Sequence, residues 1–154
     1  MLRCMIAPLP IVHVSSTLTT AAERGRVAFG SDAFAFFERR EKDKDFGKLE
    51  VFVIASRTGL TDAKQVPLGI KLHCAFLRGT LAGLTQPHPK TGKHPDPSVR
   101  PASAHEGDGP SLIFWELVAL ETLAEQIPLK AFRNEGGGMY SEVPRGPTIA
   151  KIDL

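Results

Sequence analysis

The sequence predicts a mainly β domain with minor α content, arranged as a small closed or nearly closed β-barrel of about five or six strands. Three observations predict it. Leu49–Ala55, Leu68–Gly79 and Ser111–Ala119 are dense in β-branched, aromatic and aliphatic residues, and turn-rich chain separates them. Helical periodicity is confined to short stretches. No internal repeat is visible, which leaves a curved sheet or barrel as the economical way to bury three such strands. The chain has 154 residues, 42% of them hydrophobic and 23% charged. A length of this order corresponds to one domain on the usual scale of roughly 100–200 residues. It buries enough surface to fold without a metal or disulfide. Residues 1–154 are therefore read as a single globular domain.

At the amino terminus, Pro8 and Pro10 break the apolar run, only Arg3 is basic, and no small-residue cleavage site follows, so a signal peptide is not expected. No later run reaches the roughly 18 apolar residues of a membrane span. Cys4 and Cys74 are the only thiols. Two lone cysteines fit a reducing compartment, and a cytoplasmic location is expected. Ile11–Val14 reads as a short β-type run. The hydroxyl-rich Ser15–Thr20 can cap a short helix over Ala21–Arg26. Ala28–Phe37 supports two readings. Phe34 and Phe36 alternate like a strand, whereas Ala33, Phe34 and Phe37 share a helical face, and Ser31 as a cap tilts the choice to helix.

Leu49–Ala55 follows Gly47 and reads as a buried strand. In Leu68–Gly79, alternation places Ile70, Leu72, Cys74 and Phe76 on one face with Lys71 and His73 opposite. Ser111–Ala119 is apolar on both faces except at Glu116, as expected near the middle of a sheet. Glu121–Gln126 reads as a helical turn ahead of Pro128, Gly136–Gly138 as a flexible joint, and Thr148–Ile152 as an edge strand.

Between the second and third strands lies a polar loop, Thr85–Pro110, with six of the twelve prolines and three of the five histidines. Loops longer than about 12–15 residues are uncommon in compact domains and are commonly binding loops or lids. His88, His94 and His105, with Asp96, Glu106 and Asp108, have donor types suited to a divalent metal. Their spacing is not that of a zinc site, and Pro89, Pro95 and Pro97 exclude a helix that would align them, so no metal or other cofactor is expected. Ser103 and His105 form no triad pattern, and no phosphate-cradling loop motif occurs.

The net charge of +2 does not by itself announce a polyanionic partner. Its distribution says more. From Arg78 to Arg100 the bases are Arg78, Lys90, Lys93 and Arg100, with His88 and His94 among them, and the only acid is Asp96. Such a stripe attracts phosphate, although basic loops of this size also recur simply as solvated surface. Arg57 ends the Leu49–Ala55 strand segment, where a small barrel presents groups to a ligand, and is the preferred single phosphate contact. Trp115 is better explained as core than as a base-stacking platform. Tyr140, just past the glycines, is expected to be more exposed and able to stack on a planar ligand.

The succession of Leu49–Ala55, then Gly69–Gly79, a polar loop, Ile113-Phe-Trp-Glu-Leu117 and Ile127-Pro-Leu-Lys-Ala-Phe132 resembles the PUA-like barrels, especially their EVE and ASCH branches. The resemblance covers about half the chain and rests on order and hydrophobic pattern. It departs at the amino terminus, where no opening aromatic strand occurs, and in the length of the loop. It implies a binding module for RNA or a modified nucleobase or nucleotide, with no membrane partner. Two other classes stay open: a metal-dependent hydrolase of a phosphorylated small molecule that uses the loop histidines, and a subunit that docks a protein partner.

Overall fold

The computed structural model describes residues 1–57, 66–104 and 113–154. Its strands are β1 (Leu2–Pro10), β2 (Val27–Ser31), β3 (Glu50–Ser56), β4 (Cys74–Thr85), β5 (Ile113–Pro128), β6 (Phe132–Arg133) and β7 (Thr148–Ile152). The helices are α1 (Val14–Arg24) and α2 (Phe34–Glu41). Hydrogen-bonded strand order is β2-β5-β4-β3-β1-β7-β6 in one mixed sheet. The protein is thus mainly β with minor helix, as its composition of strands predicts. Closure is not seen: β2 and β6 end the order unpaired with each other among the described residues. A barrel needs its terminal strands to share a ladder, and β6, two residues long, has little ladder to offer.

The chain divides into two compact units. The first comprises Met1–Val14, Leu49–Gly79 and Glu121–Leu154; the second comprises Ser15–Lys48 and Thr80–Leu120.

In the first unit, β1 runs parallel to β3, with Cys4 opposite Glu50 and Pro10 opposite Ser56. On its other side β1 pairs antiparallel with β7, but only from Leu2 (opposite Ile152) to Ile6 (opposite Thr148). Alternate residues Cys4 and Ile6, Phe52 and Ile54, and Ala150 and Ile152 share one core cluster with Ala75, Leu129 and Phe132. Phe52 and Phe132 meet edge to face, their centroids 5.3 Å apart. Pro8 and Pro10 fall beyond the stretch that β7 covers, where a missing N–H removes no bond to that neighbour. The carboxyl end of β1 is therefore open on one side.

In the second unit, β2 pairs antiparallel with the start of β5, with Phe29 opposite Trp115. Trp115 lies against Phe29 (4.6 Å) and stacks on Phe37 of α2 (5.7 Å). The chain from Ala28 to Phe37 realises both candidate structures in succession, strand then helix. The Ser31 hydroxyl oxygen accepts the Ala33 N–H at 3.0 Å just before α2. α1 starts earlier than its hydroxyl-rich sequence suggests, and Thr19 returns its hydroxyl to the Ser15 carbonyl at 3.1 Å, as hydroxyls inside helices do. Gly25 ends the helix at φ +69, its N–H bonded to Ala21 O.

Several boundaries differ from the sequence expectation, each for a backbone reason. The strand expected from Leu68 begins only at Cys74, because Gly69 (φ 85) and His73 (φ 62) are left-handed and cannot continue an extended chain. Ile70 and Leu72 consequently leave the alternation. β5 continues through the segment expected as a helical turn and ends at Pro128; Ala119 at φ 50 interrupts its regular pleat, and strand pairing overrides local preference. Ile11–His13 is a 3-10 turn rather than a strand. β7 lies between β1 and β6 and is not an edge. Gly136–Gly138 forms a tight turn instead of a joint: Asn134 N–H binds Gly138 O, and Gly138 N–H binds Asn134 Oδ1, each at 2.9 Å.

Candidate functional site

A cavity of about 540 Å³ opens in the first unit where β7 leaves β1 uncovered. Pro8 and Pro10 from the end of β1, and Ser56 and Arg57 from the end of β3, form one side of its lining. His73 and Leu129 contribute from the approach to β4 and the exit of β5, and Ser141–Arg145 completes it. The volume is that of a small-molecule site, for which about 300–1,000 Å³ is usual. Its position, at the carboxyl ends of a parallel strand pair, is one where loops are free to diverge and present ligand contacts.

The lining joins two kinds of surface. Pro8, Pro10, Leu129, Val143 and Pro144 are apolar, whereas Arg57, Arg145, His73 and Glu142 can carry charge, and Ser56 and Ser141 add hydroxyls. Among the described lining residues, the fixed charges are two guanidiniums and one carboxylate. Among the described residues, Arg145 has no ion-pair or hydrogen-bond partner. A planar guanidinium in that situation suits a phosphate or carboxylate, which it can bind through two parallel hydrogen bonds.

His73 holds a left-handed backbone, φ 62, at the edge of this cavity. Two main-chain bonds clamp it: its N–H donates to Ala55 O at 2.8 Å, and its carbonyl accepts from Leu129 N–H at 2.9 Å. The clamp ties the end of β3 to the exit of β5 through a single residue.

The residues singled out from the sequence fall into different settings. Arg57 is exposed and lines the cavity. Tyr140 adjoins the Ser141–Arg145 lining segment, is half-buried against the core, and donates its hydroxyl to Ile149 O at 3.3 Å. Arg78 is half-buried and bonded to Glu50 through two nitrogens (3.2 and 3.4 Å), with its guanidinium over Phe52. The remaining candidates lie in the second unit. Trp115 is core, 4% exposed. Arg100 is buried, donates to Ala28 O at 2.8 Å and covers the Phe114 ring. His94 sets its edge on Phe114, and its Nδ1 accepts the Asp96 N–H at 2.9 Å. Burial holds the His94 imidazole below the ordinary histidine range, while nearby Glu116 opposes the shift. Asp96 receives the Ser98 hydroxyl and N–H, which lower its own titration, and reaches Arg26, which also pairs with Glu116.

His88, Lys90 and Lys93 remain at the surface of the loop, where His88 Nδ1 accepts the Lys90 N–H. Among the described residues, no three His, Cys, Asp or Glu side chains converge as a metal-ligand set. His105, Glu106 and Asp108 lie outside the described residues.

Four lining residues, His73, Ser141, Glu142 and Arg145, were not expected from the sequence. His73 looks like the polar side of a strand, and its backbone conformation cannot be read from alternation. Glu142 and Arg145 sit in a Pro- and Gly-rich tail segment whose fold depends on docking against β1. Its clearest signal is the pair Pro144 and Pro147 bracketing an arginine. No protein-family model matches the sequence, and no curated protein matches it either.

Proposed function

We propose that the protein is a binding module for RNA or a nucleotide, with the anionic group held in the Arg57–Arg145 cavity. A PUA-like fold and a cytoplasmic setting belong to the same proposal. The observation that carries it is the combination, among the described residues, of two arginines and a histidine with a single carboxylate around a nucleotide-sized cavity at the ends of β1 and β3. The arginines supply charge-assisted hydrogen bonds to phosphate. The proline, leucine and valine surface accepts an apolar or planar portion, and Glu142 accepts from a hydroxyl or amino group. Stacking contributes less than the sequence suggests, since the described residues that line the cavity include no Phe, Tyr or Trp. Within the second unit, His88, Lys90 and Lys93 form an exposed basic loop that by itself suits backbone phosphates.

The experiment is a calorimetric or fluorescence titration with AMP and a short RNA at low and moderate salt. Arg57→Ala and Arg145→Ala each remove a charge-assisted bond worth about 1.5–3 kcal/mol, so AMP affinity should fall at least tenfold in each. Lys90→Ala with Lys93→Ala should leave AMP binding unchanged and reduce the salt slope for RNA by about two. A wild-type protein that binds neither AMP nor RNA at low salt refutes the proposal. The metal-hydrolase and protein-docking alternatives have no comparable feature among the described residues.

A further inference from the structure

We infer that the cavity reads a phosphate terminus, a phosphomonoester, and that His73 is the residue that sets this specificity. The inference rests on the anion-binding reading above and narrows it. An internal phosphodiester carries one negative charge, whereas a phosphomonoester carries about −1.5 to −2 at neutral pH and presents three strong acceptor oxygens. Among the described lining residues, Arg57, Arg145 and His73 can each donate hydrogen bonds, a set that matches the three acceptor oxygens of a phosphate terminus better than the two free oxygens of an internal diester. The cavity is also the size of one nucleotide, so it suits an end or a free monomer better than a continuous strand.

The backbone identifies His73. Left-handed geometry is free for glycine and costly for residues with a Cβ. Four residues earlier, the same approach to β4 uses Gly69 at φ 85. At position 73 it keeps an imidazole at φ 62. Both bonds that clamp this residue are main-chain bonds, to Ala55 O and from Leu129 N–H, and glycine would make them equally well. Among the described residues, the imidazole itself has no hydrogen-bond or ion-pair partner. No polar contact among the described residues accounts for an imidazole at this position, and the cavity it borders offers one. Strained backbone at a cavity edge is where ligand contacts concentrate.

The test uses the full chain, the variants His73→Gly and His73→Asn, and four probes: AMP, adenosine, and one short RNA with either a 5′-phosphate or a 5′-hydroxyl. Asparagine tolerates the left-handed region and serves if the glycine variant does not fold. Wild-type protein should prefer the phosphorylated member of each pair at least tenfold. Both variants should retain or raise the melting temperature and lose most of that preference. AMP binding as well as the phosphorylated RNA indicates a free nucleotide; the RNA alone indicates a strand end. Equal binding of phosphorylated and hydroxyl RNA overturns this inference while leaving RNA binding in place. Unchanged preference in the two variants removes the role of His73. Failure of the wild type to bind any probe removes the proposed function as well.

Discussion

Replacing Arg100 with leucine separates a structural arginine from a ligand-binding one. The side chain is 7% exposed, donates from Nη1 to Ala28 O at 2.8 Å, and places its guanidinium 5.2 Å from the Phe114 centroid. A hydrogen bond from a charged donor contributes about 1.5–3 kcal/mol, and a desolvated cation–π contact adds up to about 2. Leucine recovers part of this by removing a buried charge. It cannot bond to the Ala28 carbonyl, however, and leaving that group unsatisfied costs about 1–3 kcal/mol. The net loss should be about 2–3 kcal/mol, or roughly 5–10 °C in melting temperature for a chain of this length. Thermal and urea unfolding followed by circular dichroism would measure it. Arg100→Lys should fall between wild type and leucine, because an ammonium keeps the charge but not the flat face over Phe114. A leucine variant with wild-type stability and greatly weakened RNA binding would refute this account and make Arg100 a ligand contact.

Two further outcomes follow from buried ionisable groups. His94 is neutral in the native state and its titration is shifted down by burial, so the unfolded chain takes up its proton first as the pH falls below about 6.5. Stability therefore declines as pH drops through that window towards the lower native value, and His94→Asn, which can still accept the Asp96 N–H, should flatten this part of the urea-midpoint profile; parallel profiles would sink the idea. The Cys4 thiol is fully buried and pushed up to about 12, chiefly by desolvation. It should resist a disulfide-exchange reagent at pH 8 until urea unfolds the chain, as counted against a Cys4→Ala variant; rapid native labelling of Cys4 would contradict its burial.

Much of the scaffold could be read from residue types. The Leu49–Ala55 run became β3 because a strand buried on both faces needs unbroken apolar sequence, and the burial of Val51 to Ala55 bears that out. Trp115 as core was legible for the same reason. Arg57 was legible as a strand-end group, and it lines the cavity. The basic stripe from Arg78 to Arg100 was legible only as charge. Its members separate in the structure: Arg78 is occupied by Glu50 and Arg100 by a buried carbonyl, while Lys90 and Lys93 stay exposed. Linear charge pattern does not record which partner a long side chain finds once distant segments meet.

What the sequence determined by itself was therefore the identity of the buried strands and the position of the long polar loop, since hydrophobic burial follows residue type and alternation along a local stretch. The tertiary structure decided where those strands end and what gathers there. β1 is parallel to β3 and is covered by β7 only as far as Ile6, a matter of register between segments more than 140 residues apart. That register opens the cavity, and it brings Arg57, His73 and Arg145 to one place from three separate parts of the chain. The left-handed backbone at His73 is likewise held by long-range bonds, to Ala55 O and from Leu129 N–H, which no local propensity encodes.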